Sequence, residues 1–566
     1  MLIAAFAFDY DGTIAEDGKV AEATVAALQR LKAAGRKILL VTGRELPDLQ
    51  RAFPQLGEFD VVVAENGALL YLPSTGEERP LGAAPPVEFI AALRRREVTP
   101  LSLGRSIVAT WQPNETKVLD AIQELGLEWQ IIFNKGAVMC LPPGVNKASG
   151  LTAALELLEL SALNVVAVGD AENDHAFITA CGCSVAVANA IESLKAEADI
   201  VTSGARGKGI VELVERFLDG DGLVGGLSRH HVWLGPDARQ QPVGLHDDAA
   251  ILIAGSSGIG KSRLASAMIE RMQLHGFQIC VIDPEGDYEG LTDTISLGDA
   301  NRAPLDSEAL DVLRKPSANL VVNLLGIGLP DRPVFFSKLL SGLVEFRSKF
   351  GRPHWIVVDE AHHLVPAESA PSLFLPGKLP GTILITAEPE RLAKNALETT
   401  NAVVAVGAEA ANVIASYCAA LGLKAPDMPA PPGADEVLFW NRTKDAPPTV
   451  VRVEGPSSEH RRHVRKYAKG TLGEDKSFYF RGPRGNLNLR AHNVSTFLQM
   501  AEGVDDETWL FHLRQKDYSQ WFRHAIKDDD AADEIERVEA GAPDPATSRE
   551  EIRNIVGRRY TAPAET

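Results

Sequence analysis

Wholly apolar runs alternate with amphipathic stretches over about the first 218 positions. Leu2–Phe8, Lys37–Val41, Asp60–Ala64 and Asn164–Val168 are aliphatic and β-branched and end at turn-forming residues, which predicts strands. Ala21–Ala34 and Lys147–Leu158 carry helical spacing. Apolar runs with no polar face, separated by helices, imply parallel strands covered on both sides. Asp219-Gly-Asp-Gly-Leu-Val-Gly-Gly breaks the pattern, and 219–228 reads as a linker. A second alternation starts at 229, with strands expected at Ala249–Ala254, Gln278–Ile282, Asn319–Asn323, Trp355–Val358 and Thr382–Thr386. It fades by 456, and its Pro-rich stretch Ala425–Ala434 reads as a loop. Residues 457–566 differ in character: basic and aromatic first, then the short helical patterns Asn493–Ala501, Glu507–Arg514 and Tyr518–Ile526. The expected fold class is therefore α/β, in two successive units, with a small, mostly helical C-terminal region.

Length and composition agree with that reading. At about 150 residues per domain, 566 residues make three or four domains. Hydrophobic content of 45% and charged content of 23% exclude a disordered chain, a collagen-like fibre and a coiled-coil rod. Fifty-seven basic against 76 acidic side chains give a net charge of −19, which argues against a nucleic-acid coat but leaves room for a local basic groove. The five cysteines, Cys140, Cys181, Cys183, Cys280 and Cys418, form no C-x-x-C pair, so neither a disulfide framework nor a structural zinc is expected. No apolar run approaches the roughly 18 residues that span a bilayer. The opening MLIAAFAFDYDGT lacks basic residues before its apolar run and reads as a buried strand. A reduced, cytoplasmic protein with no membrane partner is expected.

The first strand delivers Asp9-Tyr10-Asp11-Gly12-Thr13. Carboxylates at the carboxyl end of a strand in an open α/β sheet sit where such sheets bind ligands. Two of them, two residues apart, divide the work: one attacks phosphorus, the other gives and takes a proton. Thr42-Gly43-Arg44 ends the next expected strand and offers a hydroxyl and a backbone N–H to phosphate oxygens. Lys147 opens a helix and neutralises charge. Gly169-Asp170-Ala171-Glu172-Asn173-Asp174 ends a further strand with acidic groups suited to a hard cation.

These four ordered pieces resemble the haloacid dehalogenase (HAD) superfamily of phosphohydrolases over residues 1–218. The resemblance implies a Rossmann-like core, with Asp9 as nucleophile and Asp11 as general acid and base. It also implies Thr42, Gly43, Arg44, Lys147 and Asn173 around the substrate phosphate. Mg²⁺ would be held by Asp9, the backbone carbonyl of Asp11, Asp170 and Asp174. Roughly 100 residues between Thr42 and Lys147 leave room for an inserted α/β cap, placed at about 82–145 between core segments 1–81 and 146–218. Val63-Ala-Glu65-Asn66-Gly67-Ala68 and Val187-Ala-Asn189-Ala190 match the capped subgroup that includes Cof-type, sucrose-phosphatase-like and phosphoglycolate-phosphatase-like enzymes. Arg94, Arg95, Arg96, Arg105 and Lys117 of the cap either meet an anionic substrate or form a solvated basic face.

The second unit opens on a buried strand, then Gly255-Ser256-Ser257-Gly258-Ile259-Gly260-Lys261-Ser262, then a helix. This is the phosphate-cradling pattern G-x-x-x-x-G-K-S: backbone N–H groups face the phosphates of ATP, Lys261 adds a charge and Ser262 ligates Mg²⁺. His354-Trp-Ile-Val-Val-Asp359-Glu360 supplies the matching acids, Asp359 for the Mg²⁺ shell and Glu360 to polarise the attacking water. Thr386 is either a sensor of the γ-phosphate or a strand-end hydroxyl. With Asp283-Pro-Glu-Gly-Asp287-Tyr288, residues 229–456 resemble the HerA/FtsK-like P-loop ATPases. That resemblance implies a ring-shaped homo-oligomer, with Arg391 either completing a neighbour's site or lying on the surface. His362 and His363 read as packing residues.

Between 461 and 490, nine Lys or Arg residues stand against two acids: Arg461, Arg462, Arg465, Lys466, Lys469, Lys476, Arg481, Arg484 and Arg490, around Phe478-Tyr-Phe480. Such interleaving suits a single nucleic-acid strand, and equally a solvated face paired with the acidic ATPase unit. Trp509, Phe511, Trp521 and Phe522 predict a small helical core. Three functional readings stand at this point. One is a Mg²⁺-dependent phosphatase of a small phosphorylated metabolite (sugar phosphate or phosphoglycolate-like) joined to an ATPase. The second is a nucleic-acid-dependent ATPase with a phosphatase that processes ends or nucleotides. The third is a nucleotide-gated regulator of the phosphatase.

Overall fold

The computed structural model describes residues 2–134, 136–220, 227–256, 259–368, 375–444, 446–456, 476–485, 487–526, 528–541 and 544–560. The strand Ala5–Asp9, buried at every residue, sits inside an eight-stranded sheet. The strand order is Ile200–Val201, Cys183–Ala186, Val165–Gly169, Ala5–Asp9, Lys37–Val41, Val61–Ala64, Leu69–Leu72, Glu77–Pro80, the last two antiparallel and the rest parallel. The strand begins at Ala5, not Leu2, and runs one residue further than its apolar pattern, so Asp9 itself is paired, against Val41. Helices Glu22–Ala33, Lys147–Leu157 and Gly207–Leu218 cover the sheet through Leu28, Leu31, Leu151, Leu155, Leu213 and Val214.

Between Glu77–Pro80 and Lys147 the chain builds a separate antiparallel sheet, in the order Gln130–Asn134, Ala137–Leu141, Val108–Trp111, Ser102–Leu103. Alternation along these strands splits their side chains between two faces. Ile131, Val108, Val138 and Cys140 pack under helices Val87–Arg95 and Glu115–Glu124. Ile132, Met139, Leu141 and Ala109 turn the other way and cluster with Ala68 of the core.

The second unit is a nine-stranded sheet ordered Thr294–Leu297, Asn319–Asn323, Ile279–Asp283, Trp355–Val358, Thr382–Thr386, Ala250–Ala254, Ala402–Val406, Glu436–Asn441, Thr449–Arg452. One strand, Thr382–Thr386, separates the phosphate-loop strand from the strand that leads to Asp359. A hairpin of His231–Pro236 and Pro242–His246 precedes it. The C-terminal helices enclose their own core, which includes Trp509, Trp521 and Phe522; Phe511 is half-buried outside it, against His512. All five cysteines are free, buried thiols. Among the described residues no helix is long and apolar enough to cross a membrane.

The two α/β units meet at the amino ends of their strands. Asn164, just ahead of Val165–Gly169, donates to the Gly351 carbonyl at 3.3 Å and bonds His354 at 3.1 Å, just ahead of Trp355–Val358. The buried Arg352 guanidinium donates to the carbonyls of Glu159, Leu313 and Arg314. His230 spans the Asp247 carboxylate at 2.9 Å and the Gly182 carbonyl at 2.7 Å.

His354 makes this joint acid-sensitive. Its Nδ1 accepts from the backbone N–H of Gln278 at 2.8 Å, so a proton there would face another proton. Burial, with Arg347, Arg352 and His230 nearby and against the pull of Asp247, pushes the imidazole from 6.5 down to about 3. A histidine lowered in the folded state contributes stability that is complete above its unfolded value and is lost as pH falls below it. His354's own contribution to the unfolding free energy should therefore drop about 1.4 kcal/mol per pH unit below pH 6.5, a loss of about 3 kcal/mol near pH 4.5, while the raised Asp9 carboxyl titrates with the opposite sign. Denaturant titrations of wild type and His354→Gln across that range check it: the stability of wild type relative to the variant should fall with that slope as pH falls, and a difference that does not change with pH would exclude it.

Candidate functional site

The parallel register brings the first site together. Phe8 pairs with Val168 and Asp9 with Val41, so the chain leaves three adjacent strands at Asp9, Thr42 and Asp170. Lys147 stands at the first position of its helix, behind an Asn146 cap that accepts from Ser149 N while Ser149 Oγ accepts from Asn146 N, each at 3.0 Å. From there Lys147 Nζ reaches Asp9 at 2.6 Å and Asp174 at 2.5 Å, with all three side chains buried. The other Asp174 oxygen accepts from the backbone N–H groups of Asp170 and Ala171, at 2.8 and 2.9 Å. Asn189 bonds Asp170 at 3.3 Å and the Gly12 carbonyl at 2.9 Å.

Charge in this pocket is unbalanced. Oxygens of Asp9, Asp170 and Asp174 lie within 4.8 Å of one another. Burial, then repulsion from Asp174 and Asp170, pushes the Asp9 carboxyl up to about 7 against the pull of Lys147. Burial works against the Lys147 ammonium too, but Asp174 and Asp9 outweigh it and hold it above its usual range. One cation among three buried carboxylates leaves a hard, oxygen-lined, negative seat, which fits Mg²⁺.

The second carboxylate, Asp11, is gripped from outside. Arg44 donates to both its oxygens at 2.7 Å and to Asp48 at 2.8 Å, and stacks over Tyr10. Arg44, expected at the phosphate, thus has its guanidinium committed to carboxylates, while its backbone N–H donates to Thr42 Oγ1 at 3.1 Å. The cap basics are committed as well: Arg95 and Arg96 to Glu124, Arg105 to Glu78, and Lys117 to the Glu97 carbonyl.

Sequence reasoning used Glu65-Asn66-Gly67 as a subgroup marker and missed its place in the site. All three residues are left-handed, with φ of 52°, 54° and 105°. A Cβ on Gly67 would lie 1.9 Å from the Asn146 carbonyl, so only glycine lets this loop press on the Lys147 helix. Buried Glu65 accepts from the backbone N–H groups of Arg105 and Ser106 at 2.8 Å and ties the cap to the core. Asn66 Oδ1 accepts from Asn173 at 2.9 Å. The signal was the rare run of a polar pair before glycine at a strand end.

In the second unit, Gly260 is left-handed at φ 99° and Lys261 opens the helix Lys261–Leu274. Lys261 Nζ lies on the loop, donating to the carbonyls of Gly255 and Ser256 at 2.8 and 2.9 Å. Ile259 packs on Gly255 and Gly407, and Ser262 follows on the helix. Ser257 and Gly258 lie outside the described residues. Asp359 is buried, and burial followed by the charges of Glu360, Asp287 and Asp283 holds it well above its usual range. Glu360 sits in a left-handed conformation, φ 40°. His362 bridges Thr386 Oγ1 at 3.2 Å and Glu360 at 3.5 Å, while Arg391 pairs with Glu388. Lys476 of the C-terminal region pairs with Glu285 beside this site. Arg481 stacks on Tyr479 and Arg490 donates to Ser477. Arg461, Arg462, Arg465, Lys466 and Lys469 lie outside the described residues.

Comparison with known proteins places both units. The family model of haloacid dehalogenase-like hydrolases matches residues 6–79 and 113–214. The chain belongs to that family through its N-terminal unit, and residues 237–329, which carry the phosphate loop, match the central domain of helicase HerA. Among its relatives is the phosphoglycolate phosphatase of Methanothermobacter thermautotrophicus, 34% identical over 223 residues, which are 38% of this chain and 98% of the relative. Another is phosphoglycolate phosphatase 2 of Saccharolobus solfataricus, 30% identical over 220 residues, 38% of this chain and 92% of the relative. A solved haloacid dehalogenase-like hydrolase from Bacteroides thetaiotaomicron aligns over 38% of this chain and 99% of its own, at 19% identity and TM-score 0.33.

Proposed function

We propose that the N-terminal unit hydrolyses a small phosphomonoester, a sugar phosphate or a phosphoglycolate-like compound, through an aspartyl-phosphate. The observation that carries this is the buried Asp9–Lys147–Asp174 cluster with Asp11 two residues away. Asp9 attacks phosphorus, the P–O bond to the leaving group breaks, and Asp11, once released from Arg44 and protonated from solvent, donates the proton that the departing oxygen takes. Asp11, now ionised, accepts a proton from water as that water attacks the acyl-phosphate, which returns Asp9 and releases phosphate. Thr42, the Gly43 N–H and Lys147 hold the phosphate oxygens. Mg²⁺ held by Asp9, Asp170, Asp174 and the Asp11 carbonyl would supply charge neutralisation. The names of the archaeal relatives support phosphatase chemistry. A panel of phosphorylated metabolites tests it. Turnover should fall by about 100-fold or more on chelation of divalent ions and return with Mg²⁺; turnover indifferent to chelator would sink the ion's role.

In the same proposal the second unit binds and hydrolyses ATP, with Lys261 on the phosphates, Ser262 and Asp359 toward Mg²⁺, and Glu360 orienting water. The HerA match favours one further reading, in which rings of this chain act on nucleic acid. That reading requires ATP turnover to rise with DNA or RNA and to weaken steeply with salt. Turnover unmoved by either polymer removes it.

A further inference from the structure

The cap turns toward the core a face that the chemistry above does not use. Along Gln130–Asn134, Ile131 packs under the cap helices and Ile132 faces the core, so alternation puts Asn134 on the core side with Ile132. Cross-strand register extends this into two rows. Ile132 opposes Met139, which opposes Ala109; Asn134 opposes Ala137, which opposes Trp111. The first row is apolar and low: Met139 Sδ lies 3.5 Å from where a Cβ on Gly43 would stand. The second row carries Asn134, whose Oδ1 is buried without a partner, and Trp111, 54% exposed.

Beneath this face lies the amide pair Asn66 and Asn173, both within 4.0 Å of that same point on Gly43. Asn66 is 1% exposed. One hydrogen bond joins the pair, leaving Asn66 Nδ2 and Asn173 Oδ1 buried and unpartnered. Turning both amides over exchanges the labels but still leaves one donor and one acceptor. A hydroxyl, which donates and accepts, satisfies both. A carboxylate or a phosphate dianion only accepts, and would leave an amide oxygen facing negative charge. Neither Asn66 nor Asn134 is needed for the phosphate, which Thr42, Gly43 and Lys147 already hold in the proposed reaction. Arg96, Arg105 and Lys117 of the cap are engaged elsewhere and offer no counter-charge for a carboxylate.

We propose that Asn66 and Asn134 are specificity-determining residues that hold a hydroxyl-bearing leaving group, a polyol or sugar, in preference to a carboxylated one. Trp111 lies along the carbon chain, and Met139 limits its bulk next to the phosphate. This inference rests on the phosphatase reading of the site.

The test uses the full chain with Mg²⁺ and compares kcat/KM for glycerol 3-phosphate and erythrose 4-phosphate with that for phosphoglycolate, with p-nitrophenyl phosphate as a generic ester. Wild type should favour the hydroxylated esters by about tenfold or more, because a site built to bond hydroxyls rejects ligands that leave its polar groups unpaired. Asn66→Gly removes the amide and keeps the left-handed backbone; Asn134→Ala removes the cap's amide from an ordinary strand position. Each should lower the preference by about tenfold, and should Asn66→Gly fail to fold, Asn134→Ala decides. A wild type that prefers phosphoglycolate, or a ratio unchanged in the variants, overturns the inference and leaves the phosphatase reading standing. No turnover of any ester, p-nitrophenyl phosphate included, overturns both.

Discussion

Asp9→Asn should abolish phosphomonoester turnover, with a loss on the order of 10³-fold or more, while ATP hydrolysis continues. The amide keeps the shape of the carboxyl but has no anionic oxygen to bond phosphorus. A fall in activity through misfolding is separable from this. Asp9 is pushed up to about 7 because burial and two neighbouring carboxylates penalise its charge. Without divalent ions, then, the neutral variant should melt at or above the wild-type temperature. Removing one carboxylate from a crowded cluster relieves more repulsion than the lost contact with Lys147 provides. The measurement is steady-state phosphate release beside thermal unfolding in chelator. Turnover within tenfold of wild type, with a normal melting temperature, would exclude Asp9 as the nucleophile.

Lys261→Ala should do the reverse, reducing ATP hydrolysis by about 100-fold or more and leaving phosphatase turnover intact. Lys261 Nζ rests on the carbonyls of Gly255 and Ser256, at 2.8 and 2.9 Å, at the head of the helix that follows the loop. An ammonium poised there adds a full charge to the oriented N–H groups at a helix N-terminus, and alanine removes it. The strands of the two units abut at their amino ends, through Asn164 and His354, whereas both sites lie at carboxyl ends. The sites therefore face away from the joint, and a defect in one has the length of two strands to cross. Nucleotide binding by fluorescence, ATP turnover and phosphate-ester turnover, measured on one preparation, check this. If either substitution silenced both activities, the sites would not be independent.

The α/β class and the places of Asp9, Thr42, Lys147, Asp170, Lys261 and Asp359 were legible along the chain because each sits at the end of a short apolar run or the start of a helix. That position is a local property. A strand buried on both faces must be apolar throughout, and the residue where the pattern stops is the one that leaves the sheet. Motif order then supplied the long-range relation among pieces up to about 160 residues apart. Arg44 is different. Its sequence position beside Thr42 suggested the phosphate; the pairing of its guanidinium with the carboxylates at 11 and 48 could not be read from that position. The cap arginines, left open between substrate and a solvated face, pair with Glu124 and Glu78, partners that helical spacing alone does not show.

What the sequence alone determined was which residues stand at the carboxyl ends of strands and the starts of helices, since period and punctuation are written locally. Tertiary structure alone decided how the charges pair, that Glu65 ties cap to core, that Asn66 meets Asn173, and that Asn164 bonds His354 across two units. Those choices depend on distances between residues far apart in the chain, and the strength of an ion pair or a buried hydrogen bond falls away within a few ångströms.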